Sequence, residues 1–267
     1  INTNVFSINA QRNLMRTQSP LQQAMQRLSS GYRVNSAKDD AAGLAIATTM
    51  TSQIRALNVG IRNANDGLSM AQTAEGALDE VINNLQRMRE LASQALSGQY
   101  SSTNLADMDI EYQQLADEIT RIANNTKFSG NVLLNGSFDK NIILSDTGGD
   151  SINVSISTNV SGLAALSDDI TTSTHAGTAI SHIDTDLSDL TTARSNMGAA
   201  ANRFEAAIRN ISNIVENTEA ARSRIMDADF AAETANMTRY MIMQQAGVSI
   251  LAQANTIPQQ ALALLGQ

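Results

Sequence analysis

The chain contains no cysteine and no tryptophan, two prolines in 267 residues, and aromatics at 3%. The missing cysteine excludes a disulfide framework and any thiolate metal site. With so few large rings, the buried surface must be built from Ala, Leu, Ile and Met in thin helical seams rather than around an aromatic core. Charged residues make up 16% and the formal net charge is −8. A negative chain lacks the basic footprint that a general nucleic-acid binder needs to displace counterions. A polar surface with few charges does suit close subunit packing, because little charge has to be desolvated. No apolar run reaches the roughly 20 residues of a membrane span, so no membrane insertion is expected. Residues 1–30 show no basic start, apolar core and small-residue cleavage site, so export, if the protein leaves the cell, would run by a route without a cleavable signal peptide.

What the chain has is period. From Leu44 to Ala92 apolar residues recur on alternating three-and-four spacing. One row runs Ala47, Ile54, Ile61, Leu68 and Ile82; its companion runs Met50, Leu57, Ala64, Ala71, Leu78, Leu85 and Ala92. A repeat sustained this long predicts a helix that needs a partner helix to cover its seam. At about 1.5 Å per residue it would extend roughly 70 Å. A second amphipathic helix carries Leu105, Met108, Tyr112, Leu115, Ile119 and Ile122; the short loop after Ser97-Gly98 makes it antiparallel to the first. A third begins near Ala179, on Ile180, Ile183, Leu187, Leu190, Met197, Phe204, Ile208, Ile211, Val215 and Ile225. Arg194, Thr218 and Arg222 sit on that seam, where it should meet water or a carboxylate.

The termini carry shorter amphipathic segments. Leu14, Leu21, Met25 and Leu28 mark the first, with Ser19-Pro20 inside it as either a kink or a fresh helix start. Met237, Met241, Val248, Leu251, Leu262 and Leu265 mark the last, interrupted by Gly247 and Pro258. Each is marginal alone, so the two are expected to pair. Residues 32–43 read as an irregular connector. Between the long helices, Phe128, Val132–Leu134, Ile142–Leu144 and the alternating Ile152, Val154 and Ile156 predict two or three short strands, with a turn near Gly148-Gly149. Residues 157–178 read as turn-like. The fold class is therefore mainly α, a long antiparallel helical bundle with a small β-hairpin region.

Signals for chemistry are weak. His175 and His182 are the only histidines and lack a metal-binding spacing. Asp184, Asp186 and Asp189 lack the glycine and the closing glutamate of a calcium loop and read as solvated acids near a helix start. No catalytic, cofactor-binding or metal residue is assigned, and no cofactor is expected.

The stretch Ser30-Gly31-Tyr32-Arg33-Val34-Asn35-Ser36-Ala37-Lys38-Asp39-Asp40-Ala41-Ala42-Gly43-Leu44 resembles the N-terminal signature of bacterial flagellins. Ala221-Arg222-Ser223-Arg224-Ile225, Gln244-Gln245-Ala246-Gly247, Leu251-Ala252-Gln253-Ala254-Asn255 and Pro258-Gln259 resemble the C-terminal one, in order and at matching distance. The resemblance covers roughly residues 1–137 and 180–267. It implies an inner-tube domain from 1–42 and 227–267 with its connector, and a helical rod domain from 43–226. The rod would hold the β region at about 128–160 and a short variable segment at about 138–178, which makes this a short form without large outer domains. Family members carry a few residues ahead of the Ile-Asn-Thr-Asn stretch, which implies residues before Ile1.

By the same resemblance the chain is a non-enzymatic subunit that polymerises into the extracellular filament of a bacterial flagellum. Self-assembly would run through Leu14, Leu21, Met25, Leu28, Met237, Met241, Val248, Leu251, Leu262 and Leu265, with the termini ordering as subunits join. Partners implied are copies of itself, an export chaperone on the C-terminal segment, the filament cap and the hook–filament junction proteins. Gln86–Gln94 resembles the stretch recognised by Toll-like receptor 5, which would make Arg87, Leu91 and Glu111 contact residues. Residues 26–47 resemble the peptide sensed by the plant flagellin receptor. Exposed Ser and Thr of 145–178 are candidates for O-linked sugars. The competing readings are a hook–filament junction protein, which would match the C-terminal signature less faithfully, and a coiled-coil adhesin or signalling module, which would not polymerise on seeds.

Overall fold

The computed structural model describes residues 3–145 and 149–265, with side chains described as far as 257. Five long helices dominate: α1 (Val5–Ser30), α2 (Ala41–Leu96), α3 (Ser102–Asn125), α4 (Ser173–Met226) and α5 (Phe230–Leu265). Between α3 and α4 lie β1 (Lys127–Phe128), β2 (Asn131–Val132), β3 (Phe138–Ile143) and β4 (Ser151–Ile156), then two short 3₁₀ turns, 160–162 and 164–167. The mainly α class is as the seams predict. The chain folds as two compact units, Arg55–Val215 and the combination of Ile1–Ile54 with Glu216–Gln267.

In the unit 55–215, α2 is covered by both α3 and α4. Arg87 of α2 meets Glu111 of α3, and the two lie equally far along the chain on either side of Gln99, so the pair is an antiparallel hairpin. Arg89 meets Asp184, and Arg194 meets Asp79 and Glu75, so α4 also runs antiparallel to α2. Two covering helices explain why α2 buries more rows than its single seam implies. Ala64, Ala71, Leu78, Leu85 and Ala92 are sealed, and so is a third row at Ala74, Val81, Met88 and Ala95. Arg194 does occupy the seam opposite carboxylates, as its position predicts.

The β region holds four short strands in two antiparallel pairs, β1 with β2 and β3 with β4. Ser129 and Gly130, both at positive φ, form the two-residue turn that the twist of paired strands favours. In the second pair Phe138 faces Ile156 and Ile143 faces Ser151. Ile152, Val154 and Ile156 face the core, while Asn153 and Ser155 face out. Of the expected turn at Gly148-Gly149, Gly148 lies outside the described residues. Leu144 stands just beyond β3, and its carbonyl oxygen occupies the space a Cβ at residue 60 would need, which is why α2 carries Gly60 there.

Three expectations need correction. First, α1 is one helix through Pro20, so of the two readings the fresh helix start is overturned. Proline lacks the N–H that would reach Arg16, but Leu21 and Ala24 are buried just beyond it, and that packing outweighs one lost bond. Second, α5 continues through Gly247 and Pro258. Third, α4 starts at Ser173, not near Ala179. Thr172 begins it, since its hydroxyl accepts from the His175 N–H at 3.2 Å and its carbonyl from the Ala176 N–H at 2.9 Å.

Candidate assembly and recognition surfaces

The unit formed by both ends of the chain is built on a helix pair. Asn4 caps α1, its Oδ1 accepting from the Ser7 N–H at 3.1 Å, while its Nδ2 donates to the Ala254 carbonyl at 2.8 Å. At the other end Arg27 Nη1 reaches Glu233 Oε1 at 3.4 Å, and the Ala228 N–H donates to the Gly31 carbonyl at 2.9 Å. Gly31, in the left-handed region at φ 76°, closes α1 as an L side chain would not. Gly247 leaves room for Leu14, which would stand 3.1 Å from an added Cβ.

The contact between these helices is made of small residues. Ser7, Ala10, Leu21, Ala24 and Ala254 are buried, and the larger apolar residues mostly point away. Of the sequence-predicted assembly residues, Leu21 is buried and Leu14, Leu28, Met237 and Leu251 are half-buried. Met25, Met241 and Val248 are exposed. The side chains of Leu262 and Leu265 lie outside the described residues. Beyond these, Val5, Phe6 and Ile8 on α1, and Phe230, Ile242, Ile250 and Ile257 on α5, are also exposed. Phe6 and Ile242 are each at least 60% accessible. Seam counting missed them because it reads one stripe, whereas α5 is apolar on several sides, the mark of a helix covered all round. An apolar hollow of about 810 Å³ runs along α5 between Phe230 and Met243.

The connector at 31–40 is more than a charged turn. Asp39 Oδ2 accepts from the Asn35 and Ser36 N–H groups and the Ser36 hydroxyl, and Oδ1 accepts from Gln23 Nε2. The Ser36 hydroxyl leads in holding this carboxyl below its ordinary value. Asp40 Oδ1 accepts from the Gly43 N–H at 2.8 Å, which caps α2. Val34 is buried, and Arg33 donates from its backbone to Met226 O and from Nη2 to Ile225 O.

On the other unit, Arg87 is fixed between two acids, donating from Nη1 to Glu90 at 2.8 Å and from Nε to Glu111 at 2.9 Å. Both bonds raise its pKa, Glu90 leading. Arg89 pairs with Asp184 at 2.7 Å, which lowers the Asp184 pKa through that bond. Arg87 and Glu111 therefore share one exposed charged ridge. Leu91 does not share it. It is 2% exposed, inside the core with Met88, so anything meeting this face touches the ridge and Leu91 supports it from beneath.

The acids near the start of α4 divide. Asp184 is on the surface, but Asp186 is not the solvated acid expected: it is 6% exposed. Its Oδ2 accepts from the Ala165 N–H at 2.9 Å, and burial is the leading cause that raises its pKa, opposed by its backbone donors. The Ala165 carbonyl in turn accepts from the buried Tyr112 hydroxyl at 2.8 Å. Burial pushes the Tyr112 phenol up, reinforced by Asp168 and Asp186. His182 Nδ1 lies 2.8 Å from Asp168 Oδ2, and His175 Nδ1 the same distance from Asp169 Oδ1. The segment described as turn-like is thus a tied strap. Among the described residues, no group of three His, Cys, Asp or Glu could hold a metal ion, and no helix is long and apolar enough to cross a membrane.

Comparison with known proteins fits this geometry. Residues 1–139 match the bacterial flagellin N-terminal helical region and 180–265 the C-terminal helical region. Flagellin of Halalkalibacterium halodurans is 44% identical over 269 aligned positions, covering 99% of both chains. Flagellin B of Vibrio anguillarum is 35% identical over 372 positions, covering 100% of this chain and 99% of its own. Since this chain has 267 residues, 105 of those positions (372 − 267) have no counterpart in it, which makes it a short form. The crystal structure of Bacillus cereus flagellin is 33% identical with TM-score 0.52, covering 56% of this chain and 88% of that one. A putative flagellar hook-associated protein from Vibrio parahaemolyticus has TM-score 0.60 at 14% identity, covering 71% and 100%, which is likeness of fold alone. Both terminal helical regions match in order, and a relative is matched over its whole length, so this chain belongs to the bacterial flagellins, the non-enzymatic structural subunits of the flagellar filament.

Proposed function

We propose that subunits join through the outward apolar faces of α1 and α5. The observation that carries this is the exposure of Phe6, Met15, Phe230, Ile242, Val248 and Ile250 on two helices that already cover each other. Apolar patches of this extent, on a chain with little aromatic content, call for burial by another molecule. Every copy offers the same faces, so the covering molecule is a second copy and the product a helical fibre. In this reading Leu14, Leu21, Met25, Leu28, Met237, Met241, Val248, Leu251, Leu262 and Leu265 form the assembly set. Residues 1–42 and 227–267 line the inner tube, and 43–226 form the rod around it. The test is to add fibre fragments as seeds to purified subunit and inspect by electron microscopy. Fibres growing from seed ends are expected; a preparation that stays monomeric overturns the reading. Amide exchange on both forms sharpens it, since α1 and α5 exchange more slowly in the fibre.

Family membership supports a wider setting. The subunit leaves the cell through the flagellar secretion channel, attended by a chaperone on its C-terminal segment. It meets the cap and the hook–filament junction proteins outside.

The Arg87–Glu90–Glu111 ridge supports a second role for the free subunit, recognition by Toll-like receptor 5. Arg87 and Glu111 would make the contact and Leu91 would hold the helix surface that carries them. Arg87→Asp should abolish receptor activation by monomer while leaving the fold intact; full activation by that variant would remove the assignment. The connector from Gln26 to Ala47 is the corresponding element for the plant flagellin receptor.

A further inference from the structure

Seven of the eleven methionines stand at the extremes of depth, while Met50, Met108, Met226 and Met237 are half-buried. Met70, Met88 and Met197, in the unit 55–215, are at most 5% exposed. Met15, Met25, Met241 and Met243 are between 37% and 71% exposed, and all four lie on α1 or α5. A thioether suits a surface that must be both soluble and adhesive, being apolar, flexible and polarisable. It is also the apolar side chain most readily oxidised where solvent reaches it.

We propose that α1 and α5 form an oxidation-sensitive assembly switch. Peroxide acting on Met15, Met25, Met241 and Met243 disables the free subunit, and assembly protects the same sulfurs. A lone pair on Sδ attacks one peroxide oxygen, the O–O bond breaks, and water leaves once the departing oxygen takes a proton. The thioether is oxidised by two electrons to the sulfoxide and the peroxide is reduced by two. The product places a strongly polar S–O group on a face that must be desolvated to join a second copy, which costs free energy that the thioether does not. Met70, Met88 and Met197 are an internal control, since packing denies them the oxidant. This inference rests on the reading of α1 and α5 as the assembly faces.

The test treats the full-length free subunit with hydrogen peroxide, removes the excess, maps oxygen gain by peptide mass, and measures elongation on untreated seeds. Met15, Met25, Met241 and Met243 are expected to gain oxygen first, and Met70, Met88 and Met197 last. Elongation should slow by about tenfold or more, the factor corresponding to loss of one apolar side chain's burial. Treatment with both stereospecific methionine sulfoxide reductases and a dithiol should restore it. Assembled fibres given the same peroxide should keep those four sulfurs reduced. Elongation at the untreated rate despite full oxidation overturns the switch, as does equal oxidation in fibre and monomer, or a loss that the reductases do not reverse. Failure of untreated subunit to elongate is a different result, and sinks the reading of the assembly faces instead.

Discussion

The unit 55–215 and the unit made from both chain ends use the same alphabet of Ala, Leu, Ile and Met, and end in opposite states. In the first, two helices and a β region cover α2, and Leu78, Leu85, Met88, Ile119, Ile183 and Phe204 lose all contact with water. In the second, two helices meet through Ala10, Ala24 and Ala254, and larger apolar residues such as Phe6 and Ile242 stay outside. A helix pair has one interface and can bury one stripe on each partner; a helix with several neighbours can bury most of its circumference. The lesson is that incomplete burial is concentrated at the ends, on the faces proposed for assembly. One unit is a finished core and the other a half-finished one.

The largest effect that would break this contrast is loss of assembly without loss of fold. Val248→Asp with Ile250→Asp should reduce seeded elongation to nothing detectable, because a buried unpaired carboxylate costs several kcal/mol in each new contact. Thermal unfolding of the unit 55–215, followed by calorimetry, should be unchanged. Next come truncations of the finished core. Leu85→Ala or Phe204→Ala should cost about 2–5 kcal/mol in chemical denaturation, since neither site can refill the cavity. The equivalent change at exposed Met15 or Ile242 should cost less than about 0.5 kcal/mol in the monomer. Between these two, Tyr112→Phe leaves the buried Ala165 carbonyl without its hydroxyl donor and should cost about 1–3 kcal/mol. Exchange of the 160–172 amides should rise first.

The smallest effect is the response to pH. The Thr171 and His175 bonds lower Asp169, and the Arg89 bond lowers Asp184. A carboxylate with a depressed folded pKa contributes stability that is present above its unfolded value and lost as pH falls through its folded one. Acid loosening of this unit should therefore begin below about pH 4. Asp186 has the opposite sign, because burial raises it. Its contribution is present below the unfolded pKa and lost as pH rises through the folded one. Asp186→Asn should thus make the gain in stability between acid and neutral pH larger than in the parent, measured by melting temperature across that range. No change in that pH slope would mean that Asp186 is not the buried acid described.

Much of this was legible without coordinates. The Ala64–Leu78–Leu85–Ala92 row, the α3 seam and the Arg194 interruption all follow from spacing, since helical geometry leaves few alternatives once the period is seen. The buried row at Ala74, Val81 and Met88 was not, because one helix cannot announce how many neighbours it will have. Asp186 was not legible either. An aspartate three residues from another reads as solvent-facing until the 164–167 turn brings two backbone donors onto it. Leu91 directly follows the charged Arg89-Glu90 pair and looks like part of their surface, yet its direction from α2 is inward. The exposed face of α5 was half visible: its apolar residues were plain, their lack of cover was not.

The sequence by itself determined where the long helices lie, the antiparallel pairing of α2 with α3, and membership in a family of filament subunits, because period and signature are properties of residue order alone. Tertiary structure decided which apolar residues would be satisfied within one molecule. That choice depends on how many elements converge at each point in space. It is why the Leu78, Leu85 and Met88 rows of α2 are sealed while Phe6 of α1 and Ile242 of α5 stay exposed to water.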